Sequence, residues 1–173
     1  PERNVQADKQ NGDIELEAGK VFGKVPYPLL EIHRANQTYS YQLQSYNLMN
    51  FLEFVSDEYF SVFYSHYFQG FFFNKIPLLK KLKWREVATF KLLYGRISDQ
   101  NNPAKKGGLF QLPVNIDGTP LTYTLESRPY MEASVGISNI FKLVRIDLVK
   151  RLTYLEHLNV TEFAVRARVK LDF

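Results

Sequence analysis

Three histidines, His33, His66 and His157, are the chain's imidazoles, and it has no Cys. No two of them stand at the short spacing that brings ligands onto one metal. Without thiols there is neither a disulfide framework nor thiolate chemistry. His66 stands in Tyr64-Ser65-His66-Tyr67. A lipase-type hydrolase would pair a Ser with such a His. In a strand, however, Ser61 and Ser65 point away from the face that carries His66. His66 therefore reads as a position in an aromatic band. His157 falls in a polar turn and is expected to be solvated.

The carboxylates Glu15, Glu17, Glu132, Asp147 and Asp172 offer a second chemistry. A glycosidase needs two carboxyl groups about 5–9.5 Å apart beside a sugar site. Nothing in the spacing creates one. Directly opposed strand residues have Cβ atoms about 4.5–5.5 Å apart. These acids are thus expected to pair across strands with Arg145, Arg151, Arg166, Arg168 and Lys170. Lys105-Lys106-Gly107-Gly108 lacks the strand, Ser/Thr and helix of a phosphate loop and reads as a flexible loop. The net charge of +4 is modest, and the basic residues are spread through the chain, so no nucleic-acid partner is expected. No catalytic residue, cofactor or metal is expected, and the chain does not read as an enzyme.

The elements that position these residues follow from period two. From Phe163 to Phe173 the odd positions are Phe163, Val165, Ala167, Val169, Leu171 and Phe173, and four of the even ones are Arg166, Arg168, Lys170 and Asp172. Successive strand side chains point to opposite faces, so one face is apolar and the other charged. Val144 to Tyr154 repeats the pattern, with Arg145, Asp147 and Arg151 on the polar face. Met131 to Ile137 alternates too, and Ser138-Asn139 is expected to turn the chain. Lys83 to Ile97, Glu58 to Phe73 and Ile14 to Phe22 are noisier strands, and Met49 to Phe54 either leads into one or forms its own. The count is about six or seven strands, with no convincing helix. Long loops are expected near residues 24–40 and 99–120, the latter rich in Gly, Pro, Asn and Lys.

Composition leaves two classes open. Fourteen Phe and eleven Tyr stand beside one Trp, and mean hydropathy is −0.27. There is no run of roughly 18 apolar residues, so a membrane-spanning helix is not expected. A soluble sandwich explains alternation by one buried and one wet face. A membrane barrel explains it by a lipid face and a lumen. Three features favour the barrel. The alternating runs are about twice the length of an ordinary strand, and charges of both signs line the polar face. The chain also ends on Phe in an alternating strand, as bacterial outer-membrane proteins commonly do.

Three stretches carry a family resemblance: Phe22-Gly23-Lys24-Val25-Pro26-Tyr27-Pro28-Leu29-Leu30; Asn47-Leu48-Met49-Asn50-Phe51 with Glu53-Phe54-Val55-Ser56-Asp57; and Gly70 to Glu86, centred on Asn74-Lys75-Ile76-Pro77-Leu78-Leu79. Together they resemble an uncharacterised family of Bacteroidota outer-membrane proteins in which a carboxypeptidase-regulatory-like domain precedes a C-terminal barrel. The last strands are more distantly similar to BamA/TamA-type barrels of about sixteen strands. Those barrels tuck a loop with an Arg-Gly motif into the lumen. Here Arg34 is the candidate loop Arg, and Ala35 stands where Gly is expected.

The resemblance implies an all-β fold, with residues 1–173 forming the C-terminal portion of one transmembrane antiparallel barrel. Arg145, Asp147, Arg151, Arg166, Arg168 and Lys170 would face the lumen. Phe163, Val165, Val169, Leu171 and Phe173 would face lipid. Implied partners are outer-membrane lipid and lipopolysaccharide, earlier strands of the same barrel, and other outer-membrane proteins. The family's role is unassigned, and the role expected here is assembly, translocation or transport at the outer membrane, within a larger complex or alone. A passive anchor and a soluble protein with an apolar ligand are the alternatives.

Overall fold

Alternating sequence forms strands here, and irregular sequence forms the cover laid over them. The computed structural model describes residues 12–125 and 128–169. Along the chain lie strands β1 (Gly12–Lys20), β2 (Glu31–Ile32), β3 (Phe54–Ser56) and β4 (Glu58–Tyr67), then helix α1 (Pro77–Leu82). Strands β5 (Arg85–Arg96), β6 (Tyr123–Thr124), β7 (Tyr130–Ile140), β8 (Val144–Arg151) and β9 (Phe163–Val169) follow. The fold is predominantly β with almost no helix. Its main body is a six-stranded antiparallel sheet in the order β1-β4-β5-β7-β8-β9. A small mixed sheet, β2-β3-β6, lies beside it.

Several expected boundaries move. The strand expected over Glu58 to Phe73 stops at Tyr67, because Gly70 (φ 83°) and Gln69 (φ 56°) turn the chain. The strand expected from Lys83 starts at Arg85, after Lys83 ends α1 in the left-handed region. Ser138-Asn139 does not turn the chain. A bulge between Ile137 and Ile140 absorbs Asn139 (φ 65°), and the turn falls at Phe141–Leu143. Bulges of this kind accommodate an extra residue without ending the pairing. Met49 to Phe54 is irregular until β3 begins at Phe54. The terminal strand is described as far as Val169; Lys170, Leu171, Asp172 and Phe173 lie outside the described residues.

Register makes the polarity of each face explicit. Ile14, Tyr64, Phe90, Ala133, Lys150 and Phe163 form one row across the sheet. That row lies on an outer face that also carries Phe60, Tyr94, Val135, Ile146, Leu148, Val165 and Val169, all exposed. The neighbouring row points inward and reads Glu15, Phe63, Lys91, Glu132, Arg151. On β8 the alternation is complete: Arg145, Asp147, Val149 and Arg151 are buried, whereas Ile146 and Leu148 are 41% and 48% exposed.

The inward face is buried by the chain itself. Residues 33–53, which carry no period, run across it. Tyr46 and Met49 from this segment join Phe54, Phe63, Leu93, Leu125, Tyr130 and Tyr154 in the largest core cluster. Tyr41 and Leu48 pack on Val149. Of the expected loop near 24–40, Glu31–Ile32 forms β2 and residues 33–40 begin the longer covering segment. The connections 68–84 and 141–143 lie at one end of the sheet with Gly12 and Val169; the connections 21–57, 97–129 and 152–162 lie at the other.

Candidate functional site

Two asparagines give the covering segment its shape without regular structure. Asn36 Oδ1 accepts from Thr38 N (2.8 Å), closing a local turn, and Asn36 Nδ2 donates to Asn47 Oδ1 (2.8 Å). Asn47 Oδ1 also accepts from Gln42 N (2.9 Å), and its Nδ2 donates to Gln42 O (3.0 Å). Asn side chains commonly substitute for backbone partners in this way. The polar backbone of the segment is then offered to the charged wall.

Three groups of wall residues hold it. The first is centred on Arg151, which is fully buried on β8. Its Nη1 and Nη2 donate to Glu53 Oε2 (2.8 Å) and Oε1 (2.6 Å) in a two-pronged pair. Nε donates to Thr153 O, and the remaining donors reach Leu48 O and Tyr154 O. A guanidinium has five N–H groups, and all five have an acceptor. Glu53 additionally accepts from Asn50 N (2.8 Å) and pairs with His157 Nδ1 (2.8 Å). Burial alone would raise the Glu53 carboxyl, but the bonds from His157 and Arg151 outweigh it and hold the group below the usual carboxylate range. His157 is not solvated as expected. It is stacked on Tyr123 at 3.8 Å, because β3 and β6 bring Glu53 and Tyr123 to the turn that carries it.

The second group is Glu132 on β7. It accepts from Asn47 N (2.8 Å), Leu48 N (3.0 Å) and Tyr130 Oη (3.2 Å). Lys91, opposite on β5, lies 3.7 Å from it and donates to Gln42 O (2.7 Å) and Ser45 O.

The third group links three strands, β5, β7 and β8, to Tyr41. Arg145 Nε and Nη2 donate to Asp147 (2.6 and 2.7 Å), and Nη2 also reaches Thr89 Oγ1 (3.0 Å). Ser134 bonds both Asp147 (3.3 Å) and the Tyr41 hydroxyl (3.2 Å), whose ring lies 4.5 Å under the Arg145 guanidinium. Gly136 faces Asp147, and a Cβ there would stand 2.5 Å from Asp147 Oδ1. The glycine gives the carboxylate its place.

Further contacts fasten the two ends. Arg166 donates to Thr38 O (2.9 Å) and Asn47 O (3.1 Å), and Tyr41 N donates to Ala167 O (2.8 Å). Arg34 pairs with Glu17 on β1, which also accepts from Tyr59 Oη (3.2 Å). His33 Nε2 lies 2.6 Å from Ser56 Oγ with its ring edge-on to Tyr59. Burial first, and then the nearby Arg34 charge, push His33 down to about 3, so it is neutral near pH 7.

The anticipated ladder of cross-strand ion pairs is therefore largely replaced. Lys91–Glu132 is a cross-strand pair. Arg145 and Asp147, however, share a strand, and Arg151 and Glu17 take partners from the covering segment. Register does set Glu132 opposite Arg151 and Asp147 opposite Arg166, but Arg151 and Arg166 turn to the covering segment instead, and Arg145 stands opposite Arg168, a like charge. Arg166 and Arg168 lie on the inward face, half-buried. Phe163, Val165 and Val169 lie on the outer face and are exposed. His66 is on the outer face, with Tyr64 Oη 3.1 Å from its Nδ1, and Ser65 is inward as parity required. Sequence reasoning missed Glu53, Asn47, Lys91 and Tyr41. The resemblance to Asn47-Leu48-Met49-Asn50-Phe51 and Glu53 was the signal that touched two of them.

A cleft of about 410 Å³ opens on the inward face beside β1 and β4, lined by Asp13, Glu15, Gln42, Phe63, Tyr67 and Arg168 among others. Among the described residues no three His, Asp or Glu side chains converge as metal ligands. The acceptors and donors of the three groups are spent on one another and on the segment, so the arrangement is suited to clamping a chain.

Fold and site define a class: a β-sheet protein with one exposed, apolar face and one face, carrying paired charges and core residues, that its own chain covers. The family described as "Family of unknown function (DUF5686) C-terminal domain" matches residues 9–101, more than half of the chain, and the chain belongs to that family. All three landmark stretches fall inside the matched residues. No curated protein and no solved structure matches the chain.

Proposed function

We propose that this chain is part of the wall of an outer-membrane β-barrel and that residues 33–53 close its lumen. One observation carries the reading: the uncovered face of the sheet is the apolar one, while paired charges are buried among the core residues of the covered face. Fully buried Arg151, Lys91, Glu132 and Asp147 face the covering segment, while Ile146, Leu148, Val135 and Val165 face outward. Burying apolar area is worth roughly 25 cal/mol per Å², and charges are costly to bury unless paired. In water the sheet would gain by the opposite choice. Beside lipid it gains by this one.

Sheet edges support the same reading. Among the described residues β1 has one neighbouring strand, and beyond β8 the edge of β9 meets residues 40–41 of the covering segment, Tyr41 N donating to Ala167 O. Unpaired edges in lipid cost several kcal/mol per group, so further strands of the same protein pair with β1 and with the rest of β9. The end of the sheet with connections 68–84 and 141–143 then lies on the periplasmic side, and the end with the two longest connections, 21–57 and 97–129, outside. The Arg34–Glu17 contact is what a lumen-tucked loop Arg would make, as in the BamA/TamA-type barrels of the distant resemblance, with Ala35 in place of Gly.

A lumen held shut by so many bonds suits gated assembly, translocation or transport better than an open pore. The saturation of every Arg151 donor favours a second reading, a passive anchor whose segment never leaves. Fractionation tests the membrane placement. The full chain is expected in the outer-membrane fraction, released by detergent. Recovery as a monodisperse protein in buffer alone would overturn it in favour of a soluble protein.

A further inference from the structure

The connection between β4 and β5, residues 68–84, is not absorbed by the clamp. It reads FQGFFFNKIPLLKKLKW and contains four Lys and no Asp or Glu. Phe71, Phe72, Ile76, Leu78 and Leu82 are exposed, Leu78 to 71%. The local structure is held from within. Glu86 accepts from Phe72 N and Phe73 N, Gly70 turns with φ 83°, and α1 starts on Pro77 and ends on Lys83. Lys80 and Lys81 occupy its last turn, where the helix dipole favours cations. This is an apolar surface presented deliberately, with cations beside it.

We infer that residues 68–84 form an anchor that lies in the membrane interface and meets anionic phospholipid headgroups. Two observations identify this occupant. The first is continuity with the outer face. His66 stacks edge-on with Phe68 at 4.5 Å, Phe68 with Phe72 at 5.8 Å, and Phe72 with Phe71 at 4.9 Å. An unbroken row of rings therefore runs from the apolar face of β4 onto the connection. The second is charge complementarity. Lys75 lies 4.3 Å above the Phe71 ring, and Lys80, Lys81, Lys83 and Arg85 follow. Aromatic and aliphatic side chains flanked by lysines match an interfacial segment, with stems in the acyl boundary and ammonium groups among phosphates. Each such cation near an anionic surface strengthens binding by about fivefold.

The inference rests on the barrel reading, and the test separates the two. The chain contains no Cys, so an environment-sensitive fluorophore can be placed on Leu78→Cys or on Val165→Cys of the full protein. Each is reconstituted into phosphatidylcholine vesicles with or without phosphatidylglycerol, carrying shallow or deep nitroxide quenchers. The label at 165 should be quenched by the deep nitroxide in both vesicles. The label at 78 should be quenched by the shallow one, more strongly with phosphatidylglycerol. Lys80→Gln/Lys81→Gln should lose that increase. No quenching at either site overturns the barrel reading. Quenching at 165 with a water-exposed label at 78 overturns the anchor alone. Shallow quenching at 78 that ignores phosphatidylglycerol overturns the headgroup assignment.

Discussion

Arg151 and Glu53 stand 98 residues apart in sequence and meet as a two-pronged ion pair, each sealed from solvent. One comes from the wall and the other from the covering segment. Breaking such a pair from one side leaves a buried charge uncompensated, at about 3–5 kcal/mol. Glu53→Gln is expected to lower stability by that order. The double variant Glu53→Gln/Arg151→Gln should lose less than the sum of the singles. A double-mutant cycle on urea unfolding of the full chain checks this, and additive losses would mean that the two residues do not act as a pair.

Gly136 and Asp147 make a tighter demand. A Cβ at 136 would stand 2.5 Å from Asp147 Oδ1, so Gly136→Ala must push the carboxylate away from Arg145 and Ser134. A loss of about 1–3 kcal/mol is expected, as for other overpacked sites. Val135→Ala, on the outer face, leaves the charge cluster untouched. Thermal melts of the two variants give the comparison.

His33 ties the segment to pH. Its folded value of about 3 lies below the ordinary 6.5, so the unfolded or released segment binds a proton more readily. Stability linked to His33 is complete above pH 6.5 and is lost as the pH falls toward 3, at up to about 1.4 kcal/mol per unit. Glu53, also held below its usual range, loses its contribution at the acid end of that window. Amide exchange across residues 33–53 should speed up on acidification, and less so in His33→Gln. Exchange indifferent to pH after correction for its intrinsic rate would contradict this.

Arg166 and Glu132 grip the backbone of the segment from two strands. Arg166→Gln removes donors to Thr38 O and Asn47 O, and Glu132→Gln weakens the acceptor for Asn47 N and Leu48 N. Each bond contributes about 1 kcal/mol, more where charged. The double variant is expected to expose residues 36–48 to protease and to raise ion conductance across planar bilayers. Exposure without conductance would favour the passive-anchor reading.

Much of the sheet was legible because period two is a local property. β8 and β9 repeat it almost without exception, and Arg145, Asp147 and Arg151 lie on one side of the sheet with Phe163 and Val165 on the other. Boundaries shifted where backbone conformation decides them, as at Gln69, Lys83 and Asn139, whose positive φ values leave no hydrophobic signature. The clamp was illegible for a different reason. Glu53 and Asn47 sit in an aperiodic segment, and their partners are fixed by long-range packing. His157 looked like a solvated turn residue because nothing near it in sequence announces Glu53 or Tyr123.

The central claim is that the outer face meets lipid. Nitroxide side chains introduced at Ile146→Cys and Leu148→Cys, and at Val149→Cys and Ala164→Cys, in the full protein reconstituted into bilayers test it most directly. At 146 and 148 relaxation should respond to oxygen dissolved in the acyl chains and not to a water-soluble nickel chelate; at 149 and 164, facing the covering segment, the response to oxygen should be much weaker. Free access of the nickel chelate to 146 and 148 would contradict the account.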